Sequence, residues 1–181
     1  MRRLLATTEG SQPIDIRDRA LLMLLAVYGL RGGEVGRLRL EDLDWERDLL
    51  TVTRSKTRRQ QVYPLCHSVG AVILRYLQEV RPRVFRREVF LTTRAPFRPL
   101  SSAAIGQVER GRLHALGLSL PHYGSHTLRY ACASHLLEEG LSLKEIGDHL
   151  GHRDTNTTRG YTRMDLGSLR RVADLDLEEL L

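Results

Sequence analysis

Residues 20–34 read ALLMLLAVYGLRGGE. The leucines and Tyr28 recur at spacings that suit a largely buried helix, and Gly29 stands where such a helix should end. The uncharged run from Ala20 to Leu30 is about half the roughly 20 residues needed to cross a bilayer, and an arginine lies close to each of its ends. The stretch therefore predicts a core helix followed by a flexible glycine turn that presents Arg31. A helix-terminal arginine that merely extends into solvent is the alternative interpretation.

Two β-prone runs follow, LLTVT from residue 49 and QVYPL from residue 61, with the basic stretch RSKTRR between them. This pattern predicts a β-hairpin with a positively charged tip. The tip carries four basic side chains, Arg54, Lys56, Arg58 and Arg59. A loop of this kind grips phosphate or is simply solvated more often than it takes part in catalysis.

The rest of the chain is predominantly helical. A helix over about residues 68–81 ends before a proline, and a short strand near residues 89–91 leads into a proline-rich loop. Three further helices are expected, each with a residue able to cap its first turn: from Ser101 to about Leu116, from Ser125 or Thr127 to about Glu139, and from Ser142 to His149. Gly140 and Gly151 stand where the last two should end. The expected fold class is mainly α with a small antiparallel β-sheet (α+β).

The length of 181 residues fits one domain. Residues 1–15 are expected to form a flexible lead-in or linker, because they lack apolar periodicity. Residues 16–172 are expected to form the domain itself. Residues 173–181 are expected to form an acidic tail with a leucine stripe that packs in cis or in trans.

The charge of the chain is uneven. The formal net charge is +6, but the last eight residues hold four acids and neither Lys nor Arg, which leaves +10 on the rest. Such a surplus suits a polyanion such as nucleic acid, because Lys and Arg on phosphates release condensed counterions. An inert, solubilising basic surface is equally compatible with it.

The cysteines and the amino terminus indicate a reducing compartment. Cys66 and Cys132 form no Cys-x-x-Cys motif, so we expect two reduced thiols rather than a disulfide or a zinc ligand set. The amino-terminal residues turn polar at Thr7 and contain no apolar core of signal-peptide length. We therefore expect a cytoplasmic protein.

Two histidine pairs have helical spacing and raise a metal site as an alternative. His122 and His126 are four residues apart, and His149 and His152 are three apart. Gly124 and the preceding proline argue against one regular helix under the first pair. Neither pair has the Glu or Cys neighbours expected of zinc, so the sequence disfavours a metal site.

His126 also belongs to a second pattern, HTLR, in which Arg129 follows three residues later. This spacing places the imidazole and the guanidinium on one helical face, close enough to grip one anion together. Most such pairs are solvated neighbours, so the pattern alone is weak evidence for a site.

Tyr161 follows His152 by nine residues and lies between Arg159 and Arg163. A tyrosine flanked by two arginines and a glycine is unusual in a protein core. Nearby cations stabilise the charged form of a tyrosine, so this environment favours the phenolate of Tyr161.

Together these residues resemble one family. The resemblance is to the tyrosine recombinase (phage integrase) family, especially its Xer-type members, and rests on six residues in order: Arg31, Lys56, His126, Arg129, His152 and Tyr161. It extends to the local sequence motifs around these residues, which are YGLRGGE at 28–34, HTLR at 126–129, LGH at 150–152 and YT at 161–162. It covers the chain from about residue 16 to residue 171. Two departures are Tyr130, where many relatives have histidine, and the glycine pair that follows Arg31.

The resemblance implies that Tyr161 attacks a scissile DNA phosphate and forms a 3′-phosphotyrosyl bond, without a metal or other cofactor. Arg31 and Arg129 would clamp the non-bridging oxygens, and His152 would donate a further hydrogen bond. Lys56 would protonate the departing 5′-oxygen.

Two further roles follow from the same resemblance. His126 would assist proton movement at the phosphate or the tyrosine. Glu34 matches a position that supports the first arginine.

The resemblance also implies site-specific recombination of double-stranded DNA by a tetramer on paired sites, with the protein associated with the nucleoid. The hairpin arginines and the arginines beside Tyr161 are expected to contact DNA. The amino-terminal helical domain common in the family is missing before residue 16, so a fragment and a short form are both considered. A type IB topoisomerase-like enzyme and a non-catalytic DNA-binding accessory remain alternatives.

Overall fold

The computed structural model describes residues 2–54, 58–117 and 125–151, with the backbone alone for residues 2, 125 and 126. The described ranges contain α-helices at α1 (Arg2–Ala6), α2 (Pro13–Val27), α3 (Gly32–Val35), α4 (His67–Glu79), α5 (Ser102–His114), α6 (Ser125–Glu138) and α7 (Leu143–Leu150). They also contain strands β1 (Leu43–Asp44), β2 (Leu49–Thr53) and β3 (Gln60–Pro64), with a 3-10 turn at Leu40–Asp42. The expected fold class, mainly α with a small antiparallel sheet, is confirmed.

The central element is α2, which packs against α4, α6 and α5. Pro13 begins the helix, where a missing N–H leaves no hydrogen bond unmade. Its residues from 20 to 25 are at most 1% exposed, as expected of a helical segment that is apolar on all faces. The chain leaves the helix through Gly29 at φ +57°, a left-handed conformation that favours glycine. No helix within the described ranges is long and apolar enough to span a membrane.

The predicted hairpin is confirmed as the β2–β3 pair of a three-stranded antiparallel sheet in the order β1-β2-β3. Leu50 lies opposite Tyr63, and Thr51 lies opposite Val62. Leu50 and Val52 are buried and alternate with more exposed neighbours, so one face of β2 covers the core. The centre of the hairpin tip, residues 55–57, lies outside the described residues.

Helix α4 buries a stripe formed by Val69, Ile73 and Tyr76 and ends ahead of the proline at 82, as predicted. The strand expected near residues 89–91 is reduced to isolated bridges, of which one joins Leu91 to Pro99. Two backbone hydrogen bonds flank this bridge, from the Thr92 N–H to the Arg98 carbonyl at 2.9 Å and from the Leu100 N–H to the Phe90 carbonyl at 3.0 Å.

The predicted caps of α5 and α7 are confirmed, whereas Ser125 and Thr127 already lie inside α6. The Ser101 hydroxyl accepts a hydrogen bond from the Ala104 N–H at 3.1 Å at the start of α5. Ser142 and Glu145 bond reciprocally at the start of α7, because each side chain accepts from the other's backbone N–H. Gly140 and Gly151 end α6 and α7 in left-handed conformations.

The expectation of a loose lead-in is corrected at the start of the chain. Residues 2–6 form α1, and Leu4 and Leu5 are each 3% exposed within the core. Arginines tie this segment down, since Arg19 donates to the Leu5 carbonyl at 3.1 Å and Arg112 donates to the Thr7 carbonyl at 2.6 Å. A single helical turn is too short to show apolar periodicity in the sequence. Its two leucines are nevertheless enough to anchor it in the core.

Helix α5 carries an unusual buried carboxyl group. Glu109 is 0% exposed, and neither of its carboxylate oxygens has a hydrogen-bond partner among the described residues. Burial raises its pKa to about 7, with a smaller opposing effect from the charge of Arg110. The folded chain therefore favours the protonated form of Glu109.

Replacing Glu109 with glutamine should make the protein more stable at alkaline pH. The folded-state pKa lies above the ordinary value, so the wild type loses stability as pH rises through about 7. The advantage of Glu109→Gln should be small near pH 4 and reach on the order of 3 kcal/mol above pH 8. Urea unfolding of both proteins across this range tests it, and a difference independent of pH would contradict it.

Candidate anion-binding site

The structure describes part of the predicted site. The side chains of Arg31, Glu34, Arg54, Arg58, Arg59 and Arg129 are described. Lys56, His152, Arg159, Tyr161 and Arg163 lie outside the described residues. His126 lies in α6, where only its backbone is described. The positions of these last six side chains therefore stay predictions.

Arg31 lies at the amino-terminal end of α3, immediately after the turn at Gly29. Its backbone N–H donates to the Glu34 carboxylate at 2.9 Å, and its guanidinium donates to the other carboxylate oxygen at 3.1 Å. Its side chain is 34% exposed. Glu34 therefore orients Arg31 while leaving part of the guanidinium open to solvent.

The Glu34 carboxylate is buried, with its side chain 0% exposed. Besides Arg31, it accepts a hydrogen bond from Arg54 Nη1 at 2.9 Å. Burial alone raises the pKa of Glu34, but the Arg31 backbone N–H and the charges of Arg54 and Arg31 outweigh burial and lower the pKa overall. Glu34 is therefore an anion at neutral pH, held between two guanidinium groups.

The structure corrects the prediction that Arg54 contacts DNA. Arg54 is 5% exposed, and its guanidinium is occupied by acceptors inside the protein. The physical reason is that side chains along β2 point alternately towards the core and towards solvent, and this alternation continues past the last paired residue, Thr53. Leu50 and Val52 face the core, and a side chain two residues further along faces the same way. This two-residue repeat is visible in the sequence, and extending it to residue 54 would have predicted that Arg54 is buried.

Arg58 and Arg59 lie on the far side of the hairpin turn and are both exposed. The backbone closes this turn, because the Arg54 N–H donates to the Arg59 carbonyl and the Arg58 N–H donates to the Arg54 carbonyl, each at 2.9 Å. Their expected contacts with DNA stay predictions.

Arg129 lies on α6 and is 7% exposed. Its guanidinium donates to the Gly29 carbonyl at 2.5 Å and to the Leu150 carbonyl. Burial, followed by the positive charges of Arg31 and Arg54, lowers its pKa to about 10. Arg129 thus remains a cation at neutral pH and joins the turn before α3 to the end of α7.

Sequence reasoning missed one buried residue next to these groups. His149 is 3% exposed, and its ring meets the Tyr63 ring edge-on at 5.2 Å. Burial and the charges of Arg54 and Arg129 lower its pKa to about 4, so the ring is neutral at physiological pH. Neither ring nitrogen has a well-formed hydrogen bond within the described part of the chain. The signal was the spacing of His149 from Ile146, which places both on the buried face of α7.

These side chains form a cluster of charged groups. Arg31 and Arg54 donate to the Glu34 carboxylate, and the charges of all three of these residues act on the pKa of Arg129. The cluster of four side chains therefore carries a net positive charge beside the partly exposed Arg31. Within residues 2–54, 58–117 and 125–151, no three His, Cys, Asp or Glu side chains are grouped as metal ligands. The groups that are present suit a phosphate or another oxyanion.

The chain belongs to the phage integrase family, whose sequence profile matches residues 1–166. It is 39% identical over 175 residues to the putative integrase/recombinase y4gC of Sinorhizobium fredii, with 96% of this chain and 90% of that protein covered. It is 31% identical over 173 residues to tyrosine recombinase XerD of Listeria innocua, with 94% and 58% covered. The chain thus spans most of y4gC and a little over half of XerD.

Solved structures share the fold. The XerA recombinase superposes with a TM-score of 0.73 at 23% identity, with 93% of this chain and 60% of that chain covered. The lambda integrase catalytic core superposes with a TM-score of 0.62 at 24% identity, with 87% and 91% covered. The XerH site-specific recombinase bound to its difH substrate gives 0.70 at 20% identity, with 98% and 48% covered. The resemblance inferred from the motifs is confirmed at the level of family and fold.

Two glycines offer a matched test of the cluster. Gly140 and Gly151 both end helices with positive φ, at +85° and +64°. A Cβ at Gly151 would lie 2.6 Å from Arg54 Nε, whereas a Cβ at Gly140 would have no described atom within 4 Å. Gly140→Ala should cost about 1 kcal/mol of unfolding free energy through backbone strain alone.

Gly151→Ala should cost at least about 3 kcal/mol, because the buried guanidinium must also leave its carboxylate partner. Urea unfolding of the two variants measures the difference. Equal costs for the two glycines would show that Arg54 is not held against Gly151.

Proposed function

We propose that this chain is the catalytic domain of a site-specific DNA recombinase that cleaves and rejoins strands through a phosphotyrosyl intermediate. The observation that carries the proposal is the net-positive guanidinium cluster around Glu34 in a member of the phage integrase family. The names of similar proteins, an integrase/recombinase and the tyrosine recombinase XerD, support the same reaction.

Arg31 and Arg129 would bind the scissile phosphate. A phosphodiester is an anion that repels a nucleophile, so fixed positive charges must neutralise it before attack. Arg31 keeps part of its guanidinium accessible, whereas Arg129 is 7% exposed and would contribute mainly the positive charge that it keeps at neutral pH. These two groups are suited to the non-bridging oxygens, on which charge accumulates in the transition state.

Tyr161 would supply the nucleophile. Its phenolic oxygen would form a bond to phosphorus as the bond to the 5′-oxygen breaks, with Lys56 protonating that oxygen. His152 would donate a hydrogen bond to the phosphate, and His126 would assist the movement of protons. Rejoining requires no ATP, because the phosphotyrosine is a reactive ester that a 5′-hydroxyl from another strand attacks.

The partners would be duplex DNA and further copies of the chain. We propose that Arg58, Arg59, Arg159 and Arg163 contact the DNA backbone, and that four protomers act on paired sites in the nucleoid of the cytoplasm. The DNA complex of XerH supports a DNA partner. The catalytic domain would extend from the buried Leu4 and Leu5 to about residue 172, and residues 173–181 would pack in cis or in trans.

A selection for covalent adducts tests this proposal. The protein is incubated with a library of nicked DNA duplexes of random sequence, and DNA that stays bound under denaturing conditions is recovered and sequenced. We expect adducts enriched in one sequence. The matched variant Tyr161→Phe should give none, because it lacks the attacking oxygen while keeping the ring.

Other outcomes favour other functions. The absence of adducts from the wild type would contradict the proposal and favour a DNA-binding accessory. Adducts accompanied by relaxation of supercoiled plasmid, without joining of strands from two duplexes, would favour a type IB topoisomerase-like enzyme.

A further inference from the structure

The guanidinium of Arg54 connects separate elements of the fold. Its Nε donates to Gln61 Oε1 at 2.7 Å, and its Nη1 donates to Glu34 Oε2 at 2.9 Å. Its Nη2 donates to the His149 carbonyl at 2.8 Å and to the Tyr63 hydroxyl. Four acceptors on α3, β3 and α7 thus converge on one buried cation.

Each connected element carries a residue of the proposed site. Glu34 holds the guanidinium of Arg31 at the start of α3. The hairpin that contains Arg54 carries Lys56 two residues further along the chain. The His149 carbonyl at the end of α7 lies three residues before His152.

We propose that Arg54 is a positioning residue for the strand-cleavage reaction, an inference that rests on the proposed function. It fixes α3, the hairpin and the end of α7 relative to one another, so that the groups they carry reach the same phosphate. Arg54 does not touch DNA. Its effect is on the rate of the bound complex rather than on binding.

The shape of the arginine side chain is what this role requires. A guanidinium has N–H donors on three nitrogens in a fixed plane, and here all three nitrogens are used. A lysine ammonium keeps the charge but presents its donors from one atom, so it cannot reach Gln61, Glu34 and the His149 carbonyl together. Burial excludes water that could replace the lost contacts.

The Arg54 guanidinium also packs against Gly151, which further restricts the position of the end of α7. The space that a Cβ would occupy at Gly151 is already filled by the Arg54 guanidinium, at 2.6 Å from Nε and 2.9 Å from Cζ. The chain direction at the end of α7 is therefore set by the left-handed glycine on one side and by Arg54 on the other.

Arg54→Lys tests the proposal, because it preserves the charge and removes the geometry. The assay uses the nicked duplex recovered by the adduct selection and measures DNA affinity, the rate of adduct formation at saturating DNA and the midpoint of urea unfolding. We expect unchanged affinity and a rate reduced on the order of 10- to 100-fold, because small displacements of reacting groups slow chemistry strongly.

The matched control is Arg17→Lys. Arg17 is also a buried arginine, 7% exposed and paired with Asp18 at 2.7 Å. It lies near the amino-terminal end of α2, outside the cluster. We expect a comparable loss of stability and an adduct rate within about twofold of wild type. This control separates positioning from the general effect of changing a buried arginine.

A second variant covers the case in which Arg54→Lys fails to fold. Tyr63→Phe removes one hydroxyl, which contacts Arg54 and donates to the His149 carbonyl at 2.5 Å. A folded Tyr63→Phe protein with a rate reduced several-fold at saturating DNA would support the proposal. A rate within twofold of wild type for this variant would overturn it.

The remaining outcomes are equally decisive. A normal rate for Arg54→Lys, or a defect that saturating DNA restores, would overturn the positioning role while leaving the proposed function intact. A wild-type protein that forms no adduct would overturn the proposed function and the role of Arg54 with it.

Discussion

The site depends on one buried interaction, the Glu34 carboxylate between the guanidinium groups of Arg31 and Arg54. A carboxylate this deeply buried is stable as an anion only if cations and N–H donors surround it, and Glu34 accepts from both arginines and from the Arg31 backbone. Removing one partner of such a pair costs about 3–5 kcal/mol, because the other charge stays buried. The arginines are therefore held in place by their shared carboxylate.

Helix ends supply the other fixed points. The Leu150 and His149 carbonyls end α7, and the Gly29 carbonyl lies just beyond α2. Carbonyls at the carboxyl end of a helix lack partners within the helix and carry partial negative charge. Arg129 and Arg54 donate to these carbonyls. The core thus holds several cations without cancelling their charge.

The sequence predicted the parts of the fold that repeat a local pattern. The buried apolar helix that ends just before Gly29, the hairpin and the Ser142 cap each follow from spacing within a few residues, and each is confirmed. Arg54 was misplaced because its composition, a basic residue in a basic stretch, was given more weight than its position on the inward face of β2. The burial of Leu4 also depends on partners distant in sequence, which no local pattern records.

Within the site, too, local patterns were predictable from the sequence and long-range contacts were not. The HTLR spacing raised Arg129 as a possible anion ligand, and in the structure the charges of Arg31 and Arg54 lower its pKa. The neutral state of His149 could not be predicted, since it results from burial against two arginines that come from other parts of the chain. Long-range electrostatics of this kind requires the assembled fold.

Identification of the residue that becomes attached to DNA tests whether Tyr161 is the nucleophile. The covalent adduct is digested with nuclease and protease, and the nucleotide-bearing peptide is sequenced by tandem mass spectrometry. A single modified residue, Tyr161, is expected. The informative competitor is Tyr130, which follows Arg129 on α6 and is 72% exposed. A nucleotide on Tyr130, or on any residue other than Tyr161, would contradict the assignment of the nucleophile and the mechanism built on it.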